Sequence, residues 1–267
     1  MKSAVIFVAL ILLCQTAYAD VRVETRTFHS ASLGRDMRYN AVLPAGYDRG
    51  NRRYPVLYLL HGFSGDYQNW VKLTPLADDL KPWPMIVITP DANNSWYVNA
   101  ATESENRYED YVTRDLIAEV DKRYRTTSKR GIAGLSMGGY GALLLTLKHP
   151  GLYSATASLS GAFEAPCGIE KVVPELQDSL LEAYGPYGNP ARGQNDVYQL
   201  ISAQVPYVYL TCGSHDPLLP SNRRLVELLS SHHQAYEYHE YPGGHDWDYW
   251  KARLPEVLAF VAHALRP

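Results

Sequence analysis

Apolar and polar positions change rhythm several times along the chain. Val21 to His29 and Met37 to Leu43 alternate, which predicts two half-buried strands, with Gly34-Arg35-Asp36 as the turn between them. Tyr54-Pro-Val-Leu-Tyr-Leu-Leu60 and Met85-Ile-Val-Ile-Thr89 are near-continuous apolar runs. Such runs suit strands buried on both faces of a parallel sheet. From Tyr108 to Tyr124 the period lengthens. Val112, Leu116, Ile117, Val120 and Tyr124 recur at steps of three and four, which predicts an amphipathic helix. Arg130 to Gly134 reads as a short strand, and Met137 to Lys148 as a helix stopped by Pro150. Tyr153 to Ser160, Pro206 to Cys212 and Ala235 to Tyr241 read as further strands. Ser221 to Ser230 and Asp246 to Leu265 read as further helices.

Strands and helices thus alternate over most of the chain. The expected fold class is α/β, a mostly parallel central sheet with helices on both faces. The stretch 161–202 breaks the rhythm. It is rich in Pro, Gly and Asn, with a helix expected near Pro174 to Ala183. It reads as an insertion above the sheet, either shaping a substrate cleft or forming a plain surface excursion. No repeat interrupts the 267 residues, so residues 20–267 are expected to form a single domain.

Composition narrows the partners. Hydrophobic residues make up 46% and charged residues 20%, and the formal charge is −3 with no Lys/Arg block. A nucleic-acid partner is therefore not expected, because phosphate binding needs a concentrated basic surface. At the N-terminus, Lys2 precedes the apolar run Ala4 to Leu13, and Ala17-Tyr18-Ala19 is a small-x-small site before Asp20. This predicts a secretory signal peptide over residues 1–19, too short to span a bilayer. The expected location is secreted or periplasmic, with no membrane association after signal cleavage. Cys14 follows Leu13, where a lipoprotein signal has a small residue, so lipidation is set aside. The mature chain keeps Cys167 and Cys212, which an oxidising compartment could pair or leave as separate thiols.

The candidate chemistry centres on Gly134-Leu-Ser-Met-Gly138, a G-x-S-x-G pattern. A strand precedes it and a Gly-rich helix start follows it. That setting predicts a sharp turn with Ser136 Oγ exposed at the carboxyl edge of the sheet. A serine hydroxyl needs a base, and the base needs an orienting group. In the α/β-hydrolase arrangement the acid and then the base follow the serine. Asp216, in Cys212-Gly-Ser-His-Asp-Pro217, directly follows an apolar strand and fits the acid. His245, in Tyr241-Pro-Gly-Gly-His-Asp-Trp247, follows the last strand and fits the base. His215, Asp216, His245 and Asp246 lack the compact spacing of a metal motif, so no metal is assigned. No organic cofactor is required either. The oxyanion donors expected are the N–H of Met137, at the helix start, and that of Phe63, in the loop His61-Gly-Phe-Ser-Gly-Asp66.

Leu59-Leu-His-Gly-Phe-Ser-Gly-Asp66 with Trp70, Gly134-Leu-Ser-Met-Gly-Gly139, and the Gly-Gly-His-Asp-Trp run at 243–247 together resemble the esterase D-type family. Tyr54 to Leu60 and Pro90-Asp-Ala-Asn-Asn-Ser-Trp-Tyr97 look closest to its small tributyrin and feruloyl-type esterases. The likeness covers about the whole mature chain. It implies an α/β-hydrolase fold and a Ser136-Asp216-His245 triad with donors at Phe63 and Met137. It also implies a carboxylesterase acting on short-acyl or polysaccharide-linked acetyl or feruloyl esters. Trp70, Trp96 and Trp247 are the aromatic residues it suggests for substrate contact. The same groups could serve an acyltransferase, or a thioesterase like S-formylglutathione hydrolase. The signal peptide argues against the latter, whose substrate is cytosolic. A non-catalytic binding protein would have no need of a complete triad.

Overall fold

The computed structural model describes residues 20–169, 173–201 and 206–266. The signal peptide expected over 1–19 lies outside the described residues. Eight strands form one sheet: β1 Arg22–Ser30, β2 Arg35–Leu43, β3 Tyr54–Leu60, β4 Ile86–Pro90, β5 Thr126–Leu135, β6 Ala155–Leu159, β7 Val208–Gly213 and β8 Tyr236–Tyr241. Their order across the sheet is β1-β2-β4-β3-β5-β6-β7-β8. β1 with β2 and β2 with β4 pair antiparallel, and every later pairing is parallel. This is the mostly parallel α/β-hydrolase sheet that the alternating pattern predicts.

The main helices are α1 Asn69–Leu73, α2 Leu76–Leu80, α3 Leu116–Arg123, α4 Met137–Lys148, α5 Gln177–Tyr184, α6 Pro190–Gln194, α7 Val197–Leu200, α8 Leu219–Ser231 and α9 Trp247–Ala264. The pleat of β3 sorts its side chains onto two faces. Val56, Tyr58 and Leu60 join a core with Leu116, Leu143 and Leu144, from α3 and α4. Leu57 and Leu59 join a second core with Trp70, Leu76, Leu80, Leu254 and Val257, from α1, α2 and α9. Both faces are therefore covered, and that is why these strands read as unbroken apolar runs. Each fully buried Leu or Val in the two layers contributes about 1.5–3 kcal/mol relative to exposure.

Several expected boundaries move. The turn before β2 falls at 31–34, so Arg35 and Asp36 are already in the strand. The helix expected over 108–124 is a helical turn Tyr108–Asp110, a π turn Tyr111–Asp115, and then α3. β5 starts at Thr126 rather than Arg130, because β3 pairs Tyr54 with Thr126 before a register shift. In the stretch above the sheet, the helix expected at Pro174 to Ala183 is a 3-10 turn Pro174–Leu176 running into α5. Cys167 is exposed, Cys212 is buried, and both are free thiols. Burial pushes the Cys212 thiol up to about 12, so it is not a thiolate at neutral pH.

Candidate active site

Four loops meet at the carboxyl ends of the parallel strands, the usual place for a ligand crevice in such a sheet. They follow β3, β5, β7 and β8, and carry His61 to Asp66, Ser136, Asp216 and His245. Ser136 joins β5 directly to α4 with φ 53 and ψ −118. A non-glycine residue rarely adopts this backbone, so the turn is strained and held from outside. Ser136 N–H donates to Leu159 O at 2.9 Å, and its carbonyl accepts from Tyr140 N–H at 3.0 Å and Ala162 N–H at 3.1 Å. Glycine is needed beside it. A Cβ on Gly138 would sit 2.5 Å from His61 O and 2.7 Å from Leu60 O. The helix start can touch β3 only without a side chain there.

The side chains of Ser136, His245 and Asp216 form one hydrogen-bonded row. His245 Nε2 lies 2.9 Å from Ser136 Oγ. His245 Nδ1 lies 2.9 Å from Asp216 Oδ2. Asp216 Oδ1 accepts from Leu218 N–H at 2.8 Å. The Asp216 side chain is fully buried, whereas that of His245 keeps 27% of its exposure. Burial alone would raise the Asp216 carboxyl. The hydrogen bond and charge of His245, together with bonds from Ser160 and Leu218 N–H, outweigh it and hold Asp216 below the usual carboxylate range. Asp216 is therefore ionised at neutral pH, and its partner nitrogen is the protonated one.

The loop after β3 is fixed by His61, which is buried at 1% exposure. Ala92 N–H donates to His61 Nε2 at 3.0 Å, so Nδ1 carries the proton and donates to Gly62 O at 2.7 Å. Burial lowers the His61 pKa, in keeping with this neutral form. Tyr97 OH donates to His61 O at 2.8 Å, and Ser64 N–H to Asn94 Oδ1 at 2.7 Å. A Cβ on Gly62 would lie 3.4 Å from Ser136 Cβ and 2.5 Å from Leu135 Cδ1. The Phe63 loop thus stands directly against the serine turn. Neither Phe63 N–H nor Met137 N–H donates to a protein acceptor among the described residues.

A cavity of about 470 Å³ opens over Ser136 and His245. Its walls include Phe63, Trp96, Ile169, Val173, Leu176, Leu218, Trp247 and Trp250. Trp96 and Trp247, the aromatic residues expected near the substrate, both line this cavity. Trp70 does not line the cavity. It is 1% exposed, donates Nε1–H to Leu60 O at 3.0 Å, and packs edge-on against Trp247 at 5.4 Å. Trp250, which no motif marks, meets the His245 imidazole with its ring at 5.0 Å and 88°. It lies inside the apolar stripe of α9, where a core residue and a site residue look alike. Among the described residues no cluster of three or more His, Cys, Asp or Glu is arranged to hold a metal ion.

The family model described as "Putative esterase" matches residues 30–261. The chain belongs to this esterase family. It is a carboxylesterase. An acetyl esterase of Caldicellulosiruptor saccharolyticus is 28% identical over 263 residues, covering 88% of this chain and 96% of that one. An esterase of Mycobacterium tuberculosis is 29% identical over 271 residues and 90% of this esterase, which spans 59% of that longer protein. Among solved structures, a fluorophosphonate-binding serine hydrolase of Staphylococcus aureus superposes with a TM-score of 0.82 at 24% identity. The superposition covers 91% of this esterase and 99% of that chain, and it shows a shared fold.

Proposed function

We propose that this esterase is an exported serine carboxylesterase that cleaves short-acyl or polysaccharide-linked acetyl and feruloyl esters through an acyl-enzyme. The observation that carries the reading is the row Asp216–His245–Ser136, joined at 2.9 and 2.9 Å and opening onto an apolar cavity. His245 Nε2 takes the Ser136 proton as Oγ attacks the ester carbonyl. Asp216 stays ionised, holds the Nδ1–H tautomer, and stabilises the imidazolium. Phe63 and Met137 N–H groups receive the oxyanion. The alcohol leaves with the proton from His245. Water then attacks the acyl carbonyl as His245 takes its proton, and the Oγ–acyl bond breaks as His245 returns that proton to Ser136 Oγ and the acid leaves.

The acetyl esterase relative supports an acetyl substrate, and the aromatic walls Phe63, Trp96 and Trp247 suit a planar acyl group such as feruloyl. Export rests on the charged, apolar and small-residue order of residues 1–19. A panel of p-nitrophenyl acyl esters, methyl ferulate and acetylated xylan, read with wild type and Ser136→Ala, tests the activity. Turnover should vanish in the variant while its circular dichroism is unchanged. Full turnover by Ser136→Ala would refute the assignment. N-terminal sequencing of protein recovered outside the cytoplasm should begin at Asp20.

A further inference from the structure

The proposed triad explains Ser136, His245 and Asp216, but leaves a buried hydroxyl and a buried indole beside them without a task. Ser160 follows β6 directly, is fully buried, and has φ 51. That backbone is costly for a residue with a side chain, and persists only where its surroundings impose it. Ser160 N–H donates to Thr211 O at 2.8 Å, which ties it to β7, the strand that leads to Asp216. Trp250 Nε1–H donates to Ser160 Oγ at 3.3 Å. The Ser160 hydroxyl also counts among the groups that hold the Asp216 carboxyl below its usual range. Trp250 also presses its ring against His245 at 5.0 Å and 88°.

The start of α9 explains why Trp250 stands there. Asp246 Oδ1 accepts from Tyr249 N–H at 2.9 Å and so caps the helix one residue after His245. Trp250 N–H then bonds Asp246 O at 3.2 Å, closing the first turn. The residue four places after the cap is thereby brought back over the imidazole, as helical spacing requires. One indole thus meets the His245 imidazole with its ring and the Ser160 hydroxyl with its N–H.

We propose that Ser160 and Trp250 are positioning residues, in which the Ser160 hydroxyl fixes the indole through its N–H and the indole ring holds the His245 imidazole toward Ser136. The proposal rests on the triad reading above. The bond from the indole N–H fixes the indole in place, and the ring contact limits rotation of the imidazole. Neither group has to touch the ester for this purpose. Both should act on the chemical step more than on binding.

The test compares wild type, Ser160→Ala, Ser160→Gly, Trp250→Phe and Ser160→Ala with Trp250→Phe, using a p-nitrophenyl acetate assay and thermal melts, with Ser136→Ala as control. Glycine tolerates the φ at 160, so alanine and glycine together separate loss of the hydroxyl from backbone strain. Phenylalanine keeps a ring at 250 and removes the N–H. Each single variant should lose about tenfold in kcat with KM changed less than twofold, the upper scale of one lost hydrogen bond. The double variant should lose little more than the worse single one, because both substitutions break one chain of contacts. Wild-type kcat in both Ser160 variants would overturn the proposal, as would strictly multiplicative losses in the double variant. Either result with an inactive Ser136→Ala leaves the triad standing, whereas an active Ser136→Ala removes the triad itself.

Discussion

The carboxyl rim of the sheet and the segment 161–201 above it meet in one cavity, yet they are held by different means. At the rim, every candidate side chain stands one to four residues beyond a strand end: Ser136 after β5, Asp216 after β7 and His245 after β8. Parallel pairing of β5, β6, β7 and β8 fixes their spacing before any loop contact is made. The segment above has no strand among its described residues. It consists of short helices and turns, tied down by side chains. Trp96 Nε1–H donates to Ser179 Oγ at 3.1 Å, Arg192 Nε–H to Gly185 O at 3.0 Å, and Tyr140 OH to Asn195 O at 2.7 Å. The rim supplies reacting groups, while the segment supplies Ile169, Val173 and Leu176 to the cavity wall. Reactivity and choice of ester should therefore separate on substitution.

Substitutions at the rim should depress every ester alike. Ser136→Ala should cost the most, on the order of 10⁴–10⁶ in kcat across the panel. Asp216→Asn keeps the shape but disturbs the tautomer of His245, and should cost roughly 10⁴ in kcat with KM little changed. A loss confined to one acyl group in either variant would break the separation. On the opposite side of the comparison, Leu176→Ala should change the ratio of kcat/KM between butyryl and acetyl esters by about tenfold, the scale of an altered hydrophobic pocket. An unchanged ratio would place the choice of acyl group elsewhere.

Two smaller effects concern the frame. Gly138→Ala puts a Cβ against the His61 and Leu60 carbonyls, neither of which can move without displacing β3. It should destabilise the fold by about 1–3 kcal/mol, seen as a lower melting temperature. The weakest signal is the pH dependence of stability. The folded Asp216 carboxyl titrates below its unfolded range, so its contribution is present above the unfolded pKa and disappears as pH falls through the folded one. Melting temperatures of wild type should fall more steeply on acidification than those of Asp216→Asn. Parallel curves would show that the row lends the carboxylate no net stabilisation.

The same contrast explains what could be read from the chain. β3 and α4 stand where the pattern predicts them, Tyr54–Leu60 and Met137–Lys148, because burial on both faces and a Gly-rich start leave strong local marks. The side chains proposed for the triad were legible because strand ends and glycines frame them. α1, α2, α6 and α7 were not anticipated. Helices of four or five residues show no period, and their order comes from tertiary contacts. Trp70 stands outside the cavity wall, a placement its sequence does not signal. Its neighbour Asn69 lines the cavity, but its indole is buried in the core against Trp247. Trp250 was missed because an apolar position on α9 gives no sign that its ring meets His245. Ser160 carries no motif, and only its φ and partners distinguish it.

The central claim is that one serine, held at an enforced turn, is the nucleophile. Treating the active enzyme with a fluorophosphonate and locating the adduct by peptide mass spectrometry tests it most directly. A single adduct on Ser136, formed in step with loss of esterase activity and absent in His245→Ala, is the predicted result. An adduct on another residue, or full inactivation with Ser136 unmodified, would contradict the account.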